Sequence, residues 1–219
     1  MDTPTALSRI LEIGIIPSVR TASAADARFA SETICDAGIP IVEITMTIPG
    51  AIAVIAELAR ALPDMTIGAG TVLDIDTARR SVDAGATFVT GPGFDSRIAH
   101  FGVKQHVLVM PGAMTPTEVA AARHSGAELI KVFPCGPLGG AEYVRALRGP
   151  FPDTRFVAAG GVNLQNAGDI LLAGAVAIGV GREMVPRQAI EQRQADWIEE
   201  LARRFMGIVR EARASLADA

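Results

Sequence analysis

A primary amine set inside an apolar strand is the feature of this chain with the clearest chemical use. Lys131 lies in Leu129-Ile130-Lys131-Val132-Phe133-Pro134, with apolar neighbours on both sides. The chain has 18 arginines but only two lysines, Lys104 and Lys131. A lysine kept inside a strand here points to a need for an amine that can lose its proton, which a guanidinium cannot do. Burial disfavours the charged form and makes a nucleophile available to a carbonyl carbon. A second charge, Glu43, is set in Ile41-Val42-Glu43-Ile44-Thr45. Near Lys131 it could carry protons to and from a carbinolamine and a substrate hydroxyl. The plainer alternative for the two residues is a structural ion pair.

Other candidates sit at the ends of predicted strands. Arg20 and Thr71 place a guanidinium and a hydroxyl where they could hold a substrate carboxylate. Arg20 could instead pair with Asp26, and Thr71 could only cap the turn before the next helix. Ala159-Gly160-Gly161-Val162-Asn163 and Gly179-Val180-Gly181-Arg182 have the composition of loops that hold a phosphate on backbone N–H groups. Arg182 could add a charge-assisted contact, or be a surface residue near a helix start. Cys135, with no histidine partner evident, is better read as a buried filler than as a catalytic thiol.

Positioning these residues requires a repeated element. Short β-branched runs alternate with longer amphipathic ones: strands at 14–19, 39–45, 65–70, 86–91, 106–112, 127–134, 154–161 and 175–181. The helices between them fall at 22–37, 50–62, 75–84, 95–104, 116–125, 140–148 and 163–172, and a last one near 188–214. Eight strand–helix units call for a parallel sheet covered by helices. The predicted fold is α/β, a single (β/α)8 TIM barrel over residues 1–219 with an extra helix before the first strand.

A small residue followed by Gly precedes the even-numbered strands, at Ala37-Gly38, Ala84-Gly85, Ser125-Gly126 and Ala173-Gly174, with Gly-to-Gly steps of 47, 41 and 48 residues. Counting five residues on from each Gly reaches Glu43, Thr90, Lys131 and Gly179. Interior layers of such barrels take their side chains from alternate strands, so these four positions are expected to share a layer near the carboxyl ends. The final helix, around 196–205, has apolar residues at helical spacing and should pack on the barrel or on a neighbouring subunit.

Composition narrows the function. Apolar residues make up 49% of the chain and charged ones 20%, enough for a large core. The net charge is -4, and the 20 basic residues are scattered, which argues against a nucleic-acid partner. No apolar run reaches membrane-spanning length and no leader pattern opens the chain, so the expected location is the cytoplasm. Cys35 and Cys135 are 100 residues apart, and His100, His106 and His124 lack ligand spacing. Reduced thiols, no metal site and no cofactor are expected.

Taken together, these residues resemble the bacterial 2-keto-3-deoxy-6-phosphogluconate / 4-hydroxy-2-oxoglutarate aldolases, from Ile10 to about Ile190. The likeness is carried by Val42-Glu43-Ile44-Thr45, Gly68-Ala69-Gly70-Thr71-Val72-Leu73, Pro92-Gly93, Pro111-Gly112, Ile130-Lys131-Val132-Phe133-Pro134, Gly160-Gly161-Val162 and Gly179-Val180-Gly181. The resemblance implies metal-free class I chemistry, in which Lys131 forms a Schiff base with a 2-keto acid, Glu43 relays protons, and pyruvate and an aldehyde are released. It also implies that Arg20 and Thr71 hold the pyruvate carboxylate, that Pro92 and Phe133 wall the site, and that the protein is a homotrimer. Three positions depart from the family pattern: Thr47 stands where phosphogluconate-type enzymes carry Arg, Ala159 where they carry Thr, and Arg182 where a small residue often follows. Arg20 occupies a place used by the related 6-phosphogalactonate aldolases. Two rival readings keep the barrel: a phosphosugar isomerase or decarboxylase with Lys131 as an electrostatic catalyst, and a non-catalytic sugar-phosphate binding protein.

Overall fold

A computed structural model describes residues 3–218 of the chain. Helix α1 (Thr3–Ile13) precedes strand β1 (Ile15–Val19), and strands and helices then alternate. Helix α2 (Ala24–Asp36) leads to β2 (Ile41–Thr45), α3 (Ala51–Ala61) to β3 (Thr66–Gly70), and α4 (Ile75–Asp83) to β4 (Phe88–Thr90). After α5 (Ser96–Gln105) come β5 (Leu108–Met110) and β6 (Gly112–Ala113), then α6 (Pro116–His124) and β7 (Ile130–Val132). The chain ends with α7 (Ala141–Arg148), β8 (Phe156–Ala159), α8 (Ala167–Leu172), β9 (Ala175–Val180), α9 (Arg187–Glu191) and α10 (Ala195–Ala217).

All the paired strands are parallel, in the order β5-β4-β3-β2-β1-β9-β8-β7-β6. The two ends of that order are one stretch of chain, so the sheet curls into a nearly closed barrel. Here the predicted fifth strand needs correction. Pro111 interrupts it because proline has no N–H to give a ladder, leaving β5 bonded to β4 and β6 bonded to β7. Pro111 still accepts the Lys131 backbone N–H at 2.9 Å. Two further boundaries differ. Residues 163–166 form a turn in which Asn163 Oδ1 accepts the backbone N–H groups of Gln165 and Asn166. The predicted last helix is broken between α9 and α10, where Arg193 takes a left-handed φ of 53°.

Alternation along each strand explains the packing. Val42, Ile44, Ile67, Ala69, Val89, Ile130 and Val132 face the helices and join the outer core. Ile16, Ile41, Phe88, Leu108, Met110, Leu129, Val157 and Ala177 form a separate inner cluster with Ala6 and Ile10 of α1. Helix α1 therefore plugs the amino-terminal end of the barrel. Gly14 ends it at φ 75°, and Arg213 of α10 donates to the carbonyls of Leu11 and Glu12, satisfying two of the acceptors a helix leaves free. Along its buried face α10 presents Ile198, Ala202, Phe205 and Val209 and packs on α8 and α2, in keeping with its expected place on the barrel.

Candidate active site

Inward positions along a strand are two residues apart, and their chemistry changes from one end to the other. In β1 the series runs from Ile16 to Ser18, in β2 from Ile41 to Glu43, in β4 from Phe88 to Thr90, and into β7 from Leu129 to Lys131. Each begins apolar against the α1 plug and turns polar toward the carboxyl end, where barrel enzymes place their sites. This is also why Lys131 has apolar sequence neighbours: Ile130 and Val132 point the other way, into the helix layer.

The polar positions meet. Lys131 Nζ lies 3.4 Å from Glu43 Oε2 and 3.2 Å from Thr90 Oγ1, and the Thr90 hydroxyl donates to Glu43 Oε2 at 2.6 Å. The Ser18 hydroxyl donates to Glu43 Oε1 at 2.9 Å. Glu43 is 3% exposed and Lys131 8%, so the pair is shielded from water but open at one side. Burial alone would raise the Glu43 carboxyl. The Lys131 charge and the hydrogen bonds from Thr90, Ser18 and Lys131 outweigh it and hold the group below its ordinary value. Glu43 is therefore a carboxylate at neutral pH, able to take up a proton.

Three of the four positions expected to share a layer are thus in mutual contact. At the fourth, Gly179 lies in register with Ala159, and a methyl group added there would sit 2.9 Å from the Ala159 Cβ. The Phe133 ring centroid is 5.6 Å from Lys131 Nζ, giving the amine an aromatic wall. Phe133 also packs on the Gly160 turn, where φ values of 80° and 81° at Gly160 and Gly161 suit glycine alone. Pro92 backs onto Gly112: a Cβ at Gly112 would come within 2.3 Å of the Pro92 carbonyl. Gly181 approaches the backbone of Ser18, and Arg182 is exposed in the turn that follows.

At the rim the duller alternatives for Arg20 and Thr71 do not hold. Asp26 pairs with Arg193 at 2.8 Å, whereas Arg20 donates to Thr71 Oγ1 at 3.4 Å. The N-cap of α4 is Asp74, whose side chain accepts the Thr77 N–H at 2.7 Å. Thr71 has φ 59°, an uncommon conformation for a β-branched residue and one that concentrates at functional sites. Thr47 is exposed, with its hydroxyl 2.9 Å from that of Thr45. Cys135 is fully buried, and burial pushes its thiol up to about 11, so it is protonated and inert, as expected of a filler.

Two contributors were missed from the sequence. Ser18 is two residues after inward Ile16, so alternation alone would have found it. Gly70 is less legible: its missing side chain is what admits the carboxylate, since a Cβ there would come 2.3 Å from Glu43 Oε1. Gly70→Ala should displace Glu43 and lower kcat by roughly 100-fold, the lower end of what general acid–base catalysis supplies. Steady-state kinetics alongside thermal unfolding would check it; an unchanged kcat would show that the carboxylate does not need this seat.

A buried amine beside a carboxylate at the open end of a barrel is equipment for imine chemistry. The class this fold and site define is that of barrel enzymes that use a lysine Schiff base. The family model described as "KDPG and KHG aldolase" matches residues 7–201. A 2-dehydro-3-deoxy-phosphogluconate aldolase of Pseudomonas aeruginosa is 33% identical over 194 residues, covering 88% of this chain and 87% of that one. A KHG/KDPG aldolase of Escherichia coli is 28% identical, covering 91% and 94%. Among solved structures, a KDPG aldolase of Legionella pneumophila, with pyruvate captured as a covalent carbinolamine intermediate, superposes with a TM-score of 0.85 at 29% identity, covering 93% and 97%. This chain belongs to the KDPG and KHG aldolase family, and it is a carbon–carbon lyase of the class I aldolase type. Among the described residues no helix is long and apolar enough to cross a membrane.

Proposed function

We propose that this chain cleaves a 2-keto-3-deoxy-6-phospho sugar acid or 4-hydroxy-2-oxoglutarate to pyruvate and an aldehyde, with Lys131 as the Schiff-base lysine and Glu43 as the proton carrier. The observation that carries it is Lys131 Nζ, buried at the barrel mouth 3.4 Å from Glu43 Oε2. The amine adds to C2 of the keto acid, and the carbonyl oxygen leaves as water on a proton from Glu43. Glu43 then takes the proton of the C4 hydroxyl as the C3–C4 bond breaks, and the electron pair passes into the imine to give an enamine. The aldehyde departs, C3 is reprotonated, and water hydrolyses the imine to release pyruvate and free the amine.

In this reading Arg20 and Thr71 hold the keto acid carboxylate, with Phe133 and Pro92 as walls. Gly160, Gly161 and Gly181 present backbone N–H groups to the far end of the substrate, where Arg182 adds charge, and Gly179 within β9 leaves room beside Ala159 for the substrate. The family likeness supports a homotrimer, and exposed apolar side chains such as Leu73 and Trp197 offer contact surface. Two free cysteines suit a reducing cytoplasm.

Borohydride added with pyruvate should place one reduced pyruvyl group on Lys131, and a protein left unmodified would overturn the proposal. Pyruvate release measured over phosphorylated and unphosphorylated keto acids then ranks the substrates. Arg182→Ala should raise KM for a phosphorylated substrate about tenfold, equivalent to ~1.4 kcal/mol, and leave an uncharged-aldehyde substrate unchanged. Equal effects on both would remove Arg182 from the binding site.

A further inference from the structure

We propose that Thr90 is a catalytic proton relay between Lys131 and Glu43, and that Ser18 is the positioning residue that keeps the carboxylate turned to receive the proton. The inference rests on the aldolase reading above. At rest the amine and the carboxylate form a salt bridge, and the amine must give up a proton before it can attack a carbonyl carbon. The direct path is poor: 3.4 Å from Nζ to Oε2 is longer than a well-formed N–H···O bond of roughly 2.7–3.2 Å. The path through Thr90 is better at both steps, with 3.2 Å from Nζ to Oγ1 and 2.6 Å from Oγ1 to Oε2.

A hydroxyl suits this place because it accepts and donates at once. The ammonium N–H points its proton at Oγ1 while the Thr90 O–H points its own at Oε2. In the transfer an N–H bond of Lys131 breaks as a new O–H bond forms on Thr90. The original Thr90 O–H bond breaks as an O–H bond forms on Glu43. The amine ends neutral, Thr90 is again a hydroxyl, and Glu43 holds the proton that later leaves with the carbinolamine oxygen as water. Thr90 is fully buried, so bulk water does not compete for either contact.

Ser18 acts on the other oxygen. Its 2.9 Å hydrogen bond to Oε1, with the Gly70 backbone close behind, stops the carboxylate from turning Oε2 away from Thr90. Register places Ser18 directly beside Glu43 on the neighbouring strand, so the contact is built into the sheet.

The test is the single-turnover rate of imine formation with pyruvate, followed by borohydride quench and mass spectrometry. Thr90→Val keeps the shape and removes the hydroxyl; it should slow imine formation roughly 100-fold, with little change in the pyruvate concentration needed for half-saturation. Thr90→Ser should restore the rate to within a few-fold of wild type, and Ser18→Ala should slow it less than Thr90→Val. In the wild-type enzyme the rate measured across H2O/D2O mixtures should fit two protons in flight, whatever the stability of the variants. A one-proton inventory, or a Thr90→Val enzyme that forms the imine at the wild-type rate, would overturn the relay. If wild-type Lys131 is not trapped by pyruvate at all, the aldolase reading itself fails, an outcome distinct from loss of the relay alone.

Discussion

Lys131→Arg should abolish pyruvate release, lowering kcat by about 10⁴-fold or more, a barrier increase of roughly 5 kcal/mol, and should give no borohydride-trapped adduct. The substitution is informative because it keeps a cation opposite Glu43 and removes only the ability to lose a proton and form a C–N bond. If Lys131 were merely a structural partner of Glu43, arginine would serve nearly as well. Lys131→Ala separates the two roles from the other side. It strands a carboxylate that is 3% exposed, and breaking a buried pair in this way costs about 3–5 kcal/mol. Lys131→Arg should therefore unfold at a temperature closer to wild type than Lys131→Ala while being equally inactive. An arginine variant with measurable turnover would transfer the chemistry to another group.

Glu43→Gln has the second-largest expected effect, a fall in kcat of roughly 10³-fold, with loss of deuterium exchange into the pyruvate methyl group. Long incubation with borohydride should still label Lys131, because the nucleophile survives. Undiminished methyl exchange in the variant would mean that some other base serves C3. The same carboxylate sets a pH dependence. Its folded-state value is depressed, so the stability it contributes is fully present above the ordinary glutamate range, about 4.3, and is lost as pH falls through the lower folded value. The acid limb of kcat/KM, which reports the free enzyme, should accordingly lie below about pH 4.3. Removing the Ser18 or Thr90 hydroxyl takes away hydrogen bonds to the charged form, so it should move that limb upward.

Much of this site could be read from one dimension because parallel strands impose a strict two-residue period. Lys131 and Glu43 stand out as charges in apolar runs, and the Ala/Ser-Gly spacing placed them and Thr90 in one layer, which their mutual hydrogen bonds bear out. Other features depend on neighbours distant in sequence. Nothing in Gly68-Ala69-Gly70 shows that the two glycines make room for the Phe88 ring and the Glu43 carboxylate, contacts that arise only when β2, β3 and β4 lie side by side. Nor does a threonine advertise the left-handed φ found at Thr71. The break at Pro111 was legible in principle, since a residue without an N–H was written into the middle of a predicted strand. The strand composition on either side masked it.

The plug formed by α1 closes the amino-terminal end of the barrel, so the site opens toward the carboxyl end. Below Lys131 the interior is filled by Ile41, Phe88, Leu129 and Met110, closed from beneath by Ala6 and Ile10. In the proposed mechanism, water for imine hydrolysis then comes in at the same end of the barrel by which the aldehyde leaves. With Lys131 as the Schiff-base lysine proposed above, the order of the two half-reactions would be set by traffic at that open end as well as by bond making.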